Sequence, residues 1–261
     1  MHKGITPNIE AIIDDVAQLD CIKPYTLCGG TALALQLGHR MSEDLDFMMW
    51  RISKNEKPEV DWPTIEKEIQ GKIGEIEHRD ILGFDQVAFV VRGVKLSFFV
   101  SDNLSPISEK VPYKGNIFMA DVPAILAMKM EVMLRRLKYR DYYDIYSIVK
   151  AGYSLQEGMD AAIKYSGHRL STKSLMIMLS SSRIPVDANF AQMSPVYDVT
   201  IETMRDFLVK HLNGLIMPTL TIRHKRHWFE PKLPPIYKIL SDAFFAIWLV
   251  LLELQKRLVE N

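Results

Sequence analysis

Residues 27–47 read LCGGTALALQLGHRMSEDLDF, and this stretch decides the fold. A short apolar run, Tyr25 to Cys28, reads as a strand. Gly29-Gly30 breaks it, and Thr31 to Leu37 restarts at helical spacing. Glycines at such a junction let backbone amides come close to a phosphate. The helix N-terminus adds unpaired amides and the positive end of its dipole. After thirteen intervening residues comes Asp44-Leu45-Asp46-Phe47, at the mouth of a second strand that reads as Leu45 to Trp50. Two residues apart on a strand, Asp44 and Asp46 share a face. Paired carboxylates on one face suit a hard cation, magnesium above all. Two such ions roughly 3.5–4 Å apart can clamp the attacking and leaving oxygens of a phosphoryl displacement. Singly, a Gly-Gly is most often a turn and an Asp-x-Asp most often a solvated loop or a cap. The ordered combination of strand, glycines, helix and carboxylate strand is what carries specificity.

Outward from this segment, Ile9, Ile12, Ile13, Val16 and Leu19 fall at helical spacing on the N-terminal side. Downstream, the pattern predicts a helix over residues 62–74. Two strands follow, Val87 to Val91 and Val94 to Val100, joined at Arg92-Gly93 as a hairpin. The order α, β, α, β, α, β, β suits a small mixed sheet flanked by helices. Loop residues dominate from Ser101 to Gly115. Beyond them the pattern is all helical. Asp121 caps a helix with Pro123 in its first turn, which runs to about Lys138. A second helix begins near Asp141, and others cover Leu155 to Tyr165, Thr172 to Leu179 and Ile201 to His211. The fold class is α+β, with an α/β domain over residues 1–117 and an all-helical domain over 118–213. Residues 214–261 form a tail punctuated by Pro218, Pro231, Pro234 and Pro235, ending in a helix from about Pro235 to Val259.

Among 261 residues, 32 basic ones balance 32 acidic ones, so only local patches can point to nucleic acid. The two cysteines, Cys21 and Cys28, form no metal-binding motif or disulfide framework. They read as core residues, and a reducing cytoplasm fits. The N-terminal residues lack the apolar core of a signal peptide. The longest apolar run, Ala243 to Leu252, has ten residues, against the roughly 20 a spanning helix needs. It reads as a buried or partner-facing helix, and no membrane partner is expected. Arg135, Arg136, Lys138 and Arg140 lie beside Tyr139, Tyr142, Tyr143 and Tyr146. In the tail, Arg223, Lys225 and Arg226 lie beside Trp228 and Phe229. Basic residues interleaved with aromatics can bind a single-stranded RNA end. For the first cluster, a solvated helix face over a tyrosine-rich core is the plainer reading. The histidines show no metal-ligand spacing beyond a weak His224-x-x-His227.

The segment resembles the signature of the polymerase-beta-type nucleotidyltransferase superfamily. Within it, His39-Arg40-x-Ser42-x-Asp44-Leu45-Asp46-Phe47 resembles the AbiEii/AbiGii toxin family of bacterial nucleotidyltransferases. A second block, Lys129 on an apolar helix followed by Arg140-Asp141-Tyr142-Tyr143-Asp144-Ile145-Tyr146, resembles that family's later motifs. The resemblance covers residues 8–150 well and 150–212 loosely, and leaves out the tail. It implies a magnesium-dependent enzyme, with two ions and with manganese as an alternative. Such an enzyme moves a nucleotide from a nucleoside triphosphate to an acceptor, in the manner of type IV toxin–antitoxin or abortive-infection toxins. A transfer RNA end is the acceptor it suggests, and a cognate antitoxin the protein partner. It assigns Asp44 and Asp46 to the metal, and Gly29, Gly30 and Thr31 to the triphosphate cradle. Arg40 would neutralise phosphate charge, and Ser42 would brace the loop or bond a phosphate. Lys129 would reach the triphosphate, and Asp141 would act as an acid/base or orient Lys129. His39 would hold the loop, and Tyr146 would pack near the site.

The residues themselves leave alternatives open. Lys129 lies within an apolar run, where an unpaired buried amine is costly. That calls for a partner such as Asp141, unless the lysine sits on a solvated face. Asp141 and Asp144 could equally cap a helix. The superfamily commonly places a third carboxylate on the strand after the hairpin, where this chain has Ser97. Asp102 has the opposite parity. Without that acid, a nucleotide-binding protein with lost turnover is an alternative, as is transfer to a small molecule such as an aminoglycoside.

Overall fold

The computed structural model describes residues 4–225 apart from 56, 58 and 186, with side chains as far as residue 214. The chain divides into two compact units, residues 1–216 and 217–261, and the first is described below. In chain order its elements are α1 (Pro7–Val16), β1 (Thr26–Cys28), α2 (Gly29–Leu37), β2 (Asp44–Trp50), α3 (Trp62–Lys72), β3 (Ile76–Ile81), β4 (Gln86–Val91) and β5 (Val94–Ser101). Then come β6 (Val111–Lys114), β7 (Ile117–Met119), α4 (Val122–Val132), α5 (Tyr139–Lys150), α6 (Leu155–Tyr165), α7 (Thr172–Leu179) and α8 (Ile201–Lys225).

The seven strands form one mixed sheet in the order β3-β4-β5-β2-β1-β7-β6. Strand β2 lies at its centre, parallel to β5 and antiparallel to β1. Alternation along β2 sends Leu45 and Phe47 into the core. There Phe47 stacks on Phe98 at 5.2 Å, and Tyr25 meets Phe98 edge-on at 5.4 Å. The other face of β2 is left to Asp44 and Asp46. The β4–β5 turn puts Arg92 at φ 49 and Gly93 at φ 69, the left-handed pair that a two-residue hairpin prefers. On α1, Ile9, Ile12, Ile13 and Val16 are all buried, as is Leu19 beyond its end.

Three strands lie outside the sequence pattern. Strand β3 is exposed along nearly its whole length and carries Glu77, His78, Arg79 and Asp80. Strand β6 falls within the stretch read as loop, whereas β7 lies beyond it, across the expected boundary after residue 117, and pairs with β1 through Leu27 and Met119. Helix α4 ends at Val132, six residues before the expected end at Lys138. Its N-terminus is as expected: Asp121 accepts from the Ala124 amide at 2.8 Å, with Pro123 in the first turn. Most of α4 and α5 is buried. Helix α6 crosses α4 so closely that a β-carbon at Gly158 would stand 2.5 Å from Leu126 Cδ2. Helix α8 continues past His211, through Gly214 and Pro218, to Lys225. The expectations for Pro231, Pro234, Pro235, the helix to Val259, the run Ala243 to Leu252, and Arg226, His227, Trp228 and Phe229 lie outside the described residues. Cys28 is buried and Cys21 partly so, both as free thiols. No helix among the described residues is long and apolar enough to cross a membrane.

Candidate active site

Strand β1 runs into α2 at Cys28-Gly29 without a connecting loop. Gly29 has φ 70, and a β-carbon there would lie 2.9 Å from Asp46 Oδ2. The position therefore demands glycine twice, for its left-handed backbone and for the approach of the carboxylate. At Gly30 a β-carbon would come within 2.6 Å of Arg40 Nη2 and 3.2 Å of Ser42 Oγ. Thr31 ties the same layer together, through its hydroxyl to Ser42 Oγ at 2.8 Å and to the backbone carbonyl of Asp44. Gly30, Thr31, Arg40 and Ser42 thus brace the α2–β2 connection from beneath.

Asp44 and Asp46 are each partly buried on the same face of β2. Burial pushes the Asp44 carboxyl above the ordinary aspartate range, and the neighbouring Asp46 charge adds to this. Burial also raises Asp46, against a lowering hydrogen bond from Ser97 and the charges of Lys129 and Lys95. Ser97 lies in register with Asp46 on the adjacent strand. A hydroxyl therefore occupies the place where a third carboxylate would stand.

A cavity of about 300 Å³ opens in front of Asp46. It brings together Gly29, Asp46, Lys129 and Asp141, with Arg136, Glu131, Arg135, Tyr165 and Arg169 around them. Lys129 is buried, and its Nζ lies 2.7 Å from Asp141 Oδ1 and 2.7 Å from Asp144 Oδ2. Burial would lower the ammonium's pKa, but the two carboxylates outweigh it and hold it above the ordinary lysine value. Asp141 also accepts from Arg136 Nε at 3.1 Å, so both of its oxygens face cations. It caps no helix, since α5 begins two residues earlier with Lys138 at the cap position.

Asp144 is the residue the sequence left unassigned. It is completely buried, and accepts from His39 Nε2 at 2.7 Å, Arg40 Nε at 2.7 Å, Arg40 Nη2 at 2.9 Å and Lys129 Nζ. Burial alone would raise its pKa. Arg40 and Lys129 reverse that and hold it well below the usual aspartate range. Arg40 is buried against this carboxylate and does not line the cavity. His39 is buried too, stacked on Tyr143 at 6.0 Å, and its Nδ1 has no hydrogen-bond partner among the described residues. Tyr142, Tyr143 and Tyr146 are core residues. One signal could have found Asp144. Its spacing of three from Asp141 puts both on one helical face, where they can share a buried lysine.

Among the described residues, no three or more His, Cys, Asp or Glu side chains converge as a metal-binding group. The donor set is a carboxylate pair. That fits magnesium, which is typically held by one or two carboxylates, with substrate phosphates and water completing its shell. The two raised pKa values fit as well, since a cation relieves the crowding of two half-buried negative charges.

A mixed sheet that sets Asp46 against a glycine-opened helix, backed by a helical layer, is the arrangement expected of a nucleotidyltransferase. Residues 18–194 match the family described as nucleotidyl transferase AbiEii toxin, type IV TA system, and the chain belongs to that family. It is 32% identical over 149 residues to the uncharacterized protein aq_aa25 of Aquifex aeolicus (strain VF5), covering 56% of this chain and 68% of that one. A candidate nucleotidyltransferase of H. pylori with a solved structure is 19% identical, with a TM-score of 0.47, over 80% of this chain and 94% of that one. MenT4, a nucleotidyltransferase toxin from Mycobacterium tuberculosis H37Rv, is 14% identical, with a TM-score of 0.46, over 79% and 84%.

Proposed function

We propose that the protein transfers a nucleotide from a nucleoside triphosphate to the end of an RNA, with transfer RNA as the acceptor class. On this reading Asp44 and Asp46 hold magnesium, with manganese able to replace it. The carrying observation is the meeting of Asp46 with Gly29 at the opening of α2, across one cavity from the Lys129–Asp141 pair. In the reaction an acceptor hydroxyl oxygen attacks the α-phosphorus. A new P–O bond forms, the bond from the α-phosphorus to the α–β bridging oxygen breaks, and pyrophosphate leaves. Bound magnesium would supply charge neutralisation of the triphosphate as negative charge shifts onto the leaving group.

The chain's own residues position. Gly29 admits the close approach of a phosphate, and the α2 N-terminus directs its amides there. Asp141, with both oxygens engaged by cations, orients Lys129. The hydroxyl proton leaves to solvent through the open cavity. A toxin of this kind also implies an antitoxin partner.

The test incubates the protein with each of the four labelled triphosphates, magnesium and either total RNA or an aminoglycoside. An Asp44→Ala/Asp46→Ala variant, checked for folding, runs beside it. Label should enter RNA with the wild type only. Equal labelling by both proteins removes the assignment. The hydroxyl of Ser97 in place of an acid favours a second reading, a nucleotide binder without turnover. Magnesium-dependent triphosphate binding with no label in any acceptor selects it.

A further inference from the structure

The proposed transfer needs positive charge facing a phosphate, and the two cations first assigned to that task are already matched. Arg40 and Lys129 are buried against Asp144 and Asp141. Neither has much charge left for an incoming anion. Three other guanidinium groups line the cavity, those of Arg135, Arg136 and Arg169.

Two of these share a single anchor. Glu131 is buried on α4, its side chain only 4% exposed. Its Oε2 accepts from Arg135 Nη2 at 2.6 Å, and its Oε1 from Arg169 Nη2 at 3.4 Å. The arginines themselves stay open, with side chains 69% and 62% exposed. They come from different elements. Arg135 follows the end of α4 one helical turn after Glu131. Arg169 stands in the α6–α7 connection, fixed by its Nε donating to the Ser166 carbonyl at 2.8 Å. That connection runs through Gly167 at φ 62 and His168 at φ 63, and the second is a conformation non-glycine residues seldom adopt. Each guanidinium has five N–H donors, so these bonds leave several on each arginine. One buried carboxylate with an exposed arginine on each oxygen is an arrangement that presets two forks for a single anion.

We propose that Arg135 and Arg169, splayed by Glu131, form a phosphate clamp at the cavity. This inference rests on the nucleotidyl-transfer reading and extends it to residues outside the motif. The ligand is a phosphate group, supplied either by the triphosphate or by the acceptor strand's backbone. Glu131 is a positioning residue, since it acts through the two arginines.

The experiment uses the full chain and two binding titrations. One takes a non-hydrolysable triphosphate analogue with magnesium, and the other a single-stranded RNA at several salt concentrations. Arg135→Gln/Arg169→Gln should weaken one ligand about tenfold or more. If the RNA backbone is the source, the slope of log affinity against log salt falls by about 0.7 per arginine, and triphosphate affinity holds. If the triphosphate is the source, its affinity falls and the RNA slope holds. Both unchanged overturns the clamp.

Glu131→Gln separates positioning from plain electrostatics. The change removes a negative charge beside the ligand, so electrostatics alone strengthens phosphate binding. Loss of splay weakens it, which is the expected result, and tighter binding overturns the role of Glu131. Thermal unfolding of each variant confirms that it is folded. These titrations do not need turnover. The Asp44→Ala/Asp46→Ala comparison can therefore fail while the clamp stands, and the reverse.

Discussion

Replacing Asp144 with Asn tests whether the buried charge network holds the molecule together. The side chain keeps its shape but loses its charge and gains an N–H facing a cation. Asp144 is wholly inaccessible and takes four donated N–H groups from His39, Arg40 and Lys129. Removing one partner of a buried ion pair typically costs about 3–5 kcal/mol, because the remaining charge is stranded. A domain of this size has about 5–15 kcal/mol in total, so the loss is a large share. At about 2–4 °C per kcal/mol, the midpoint should fall by roughly 6–20 °C.

The pH dependence has a definite sign. The folded pKa of Asp144 is depressed by Arg40 and Lys129 in spite of burial. Its contribution is therefore complete above the ordinary aspartate value of 3.8 and disappears as pH falls through the folded value. Urea unfolding of wild type and Asp144→Asn should show a constant gap from neutral pH to about 4, and a narrowing one below that. Lys129→Met combined with Asp144→Asn should cost less than the two changes added together, since each alone strands the other's charge. A loss under about 1 kcal/mol, the level of an exposed pair, would refute the reasoning.

Asp46→Asn should abolish transfer while leaving stability at pH 7 equal or higher. The folded pKa of Asp46 is raised, chiefly by burial, so its charged form opposes folding as pH climbs from the ordinary carboxylate value through the folded one. Urea midpoints between pH 4 and 7 should therefore converge at the acid end, and a marked destabilisation at pH 7 contradicts this account. Gly29→Ala forces a side chain into φ 70 and against Asp46 Oδ2. Left-handed backbone costs about 1–2 kcal/mol for a non-glycine residue, and the displaced carboxylate should cost activity beyond that. Full transfer rates in a folded Gly29→Ala protein would show that the junction tolerates a β-carbon.

What the sequence made legible was local. The change from a short apolar run to helical spacing around Gly29-Gly30, the cap at Asp121 and the turn at Arg92-Gly93 are each written within a few residues. What stayed hidden depends on distant partners. Strand β7 has only three residues, and it pairs through Met119 with Leu27, far away in the chain. Strand β3 carries charges on an exposed edge, so it has no apolar alternation to betray it. Lys129 announced its need for a counter-charge through its apolar surroundings, and Asp141 was within reach. The resemblance assigns Arg40 to phosphate charge, and nothing local contradicts that. Only the fold shows its guanidinium turned into the layer beneath Gly30, against a carboxylate more than a hundred residues later. Glu131 and Arg135 are readable as an i, i+4 pair, but nothing local says that Arg169 joins them.

The buried cluster also explains why the site can be built from two layers at all. Asp46 belongs to the sheet and Lys129 to a helix, and apolar packing between such layers is strong but poor at fixing direction. Asp144 takes donors from the α2–β2 connection through His39 and Arg40, and from α4 through Lys129. A slip of either layer would strand at least one full charge, whereas a slip between greasy surfaces costs only contacts. The network therefore sets the position of Lys129 relative to Asp46, and in doing so uses up the charges of Lys129 and Arg40. A site built this way must take its attraction for phosphate from other cations. The exposed arginines anchored by Glu131 and Asp141 meet that requirement, because each gives one edge to a buried carboxylate and keeps donors over for an anion.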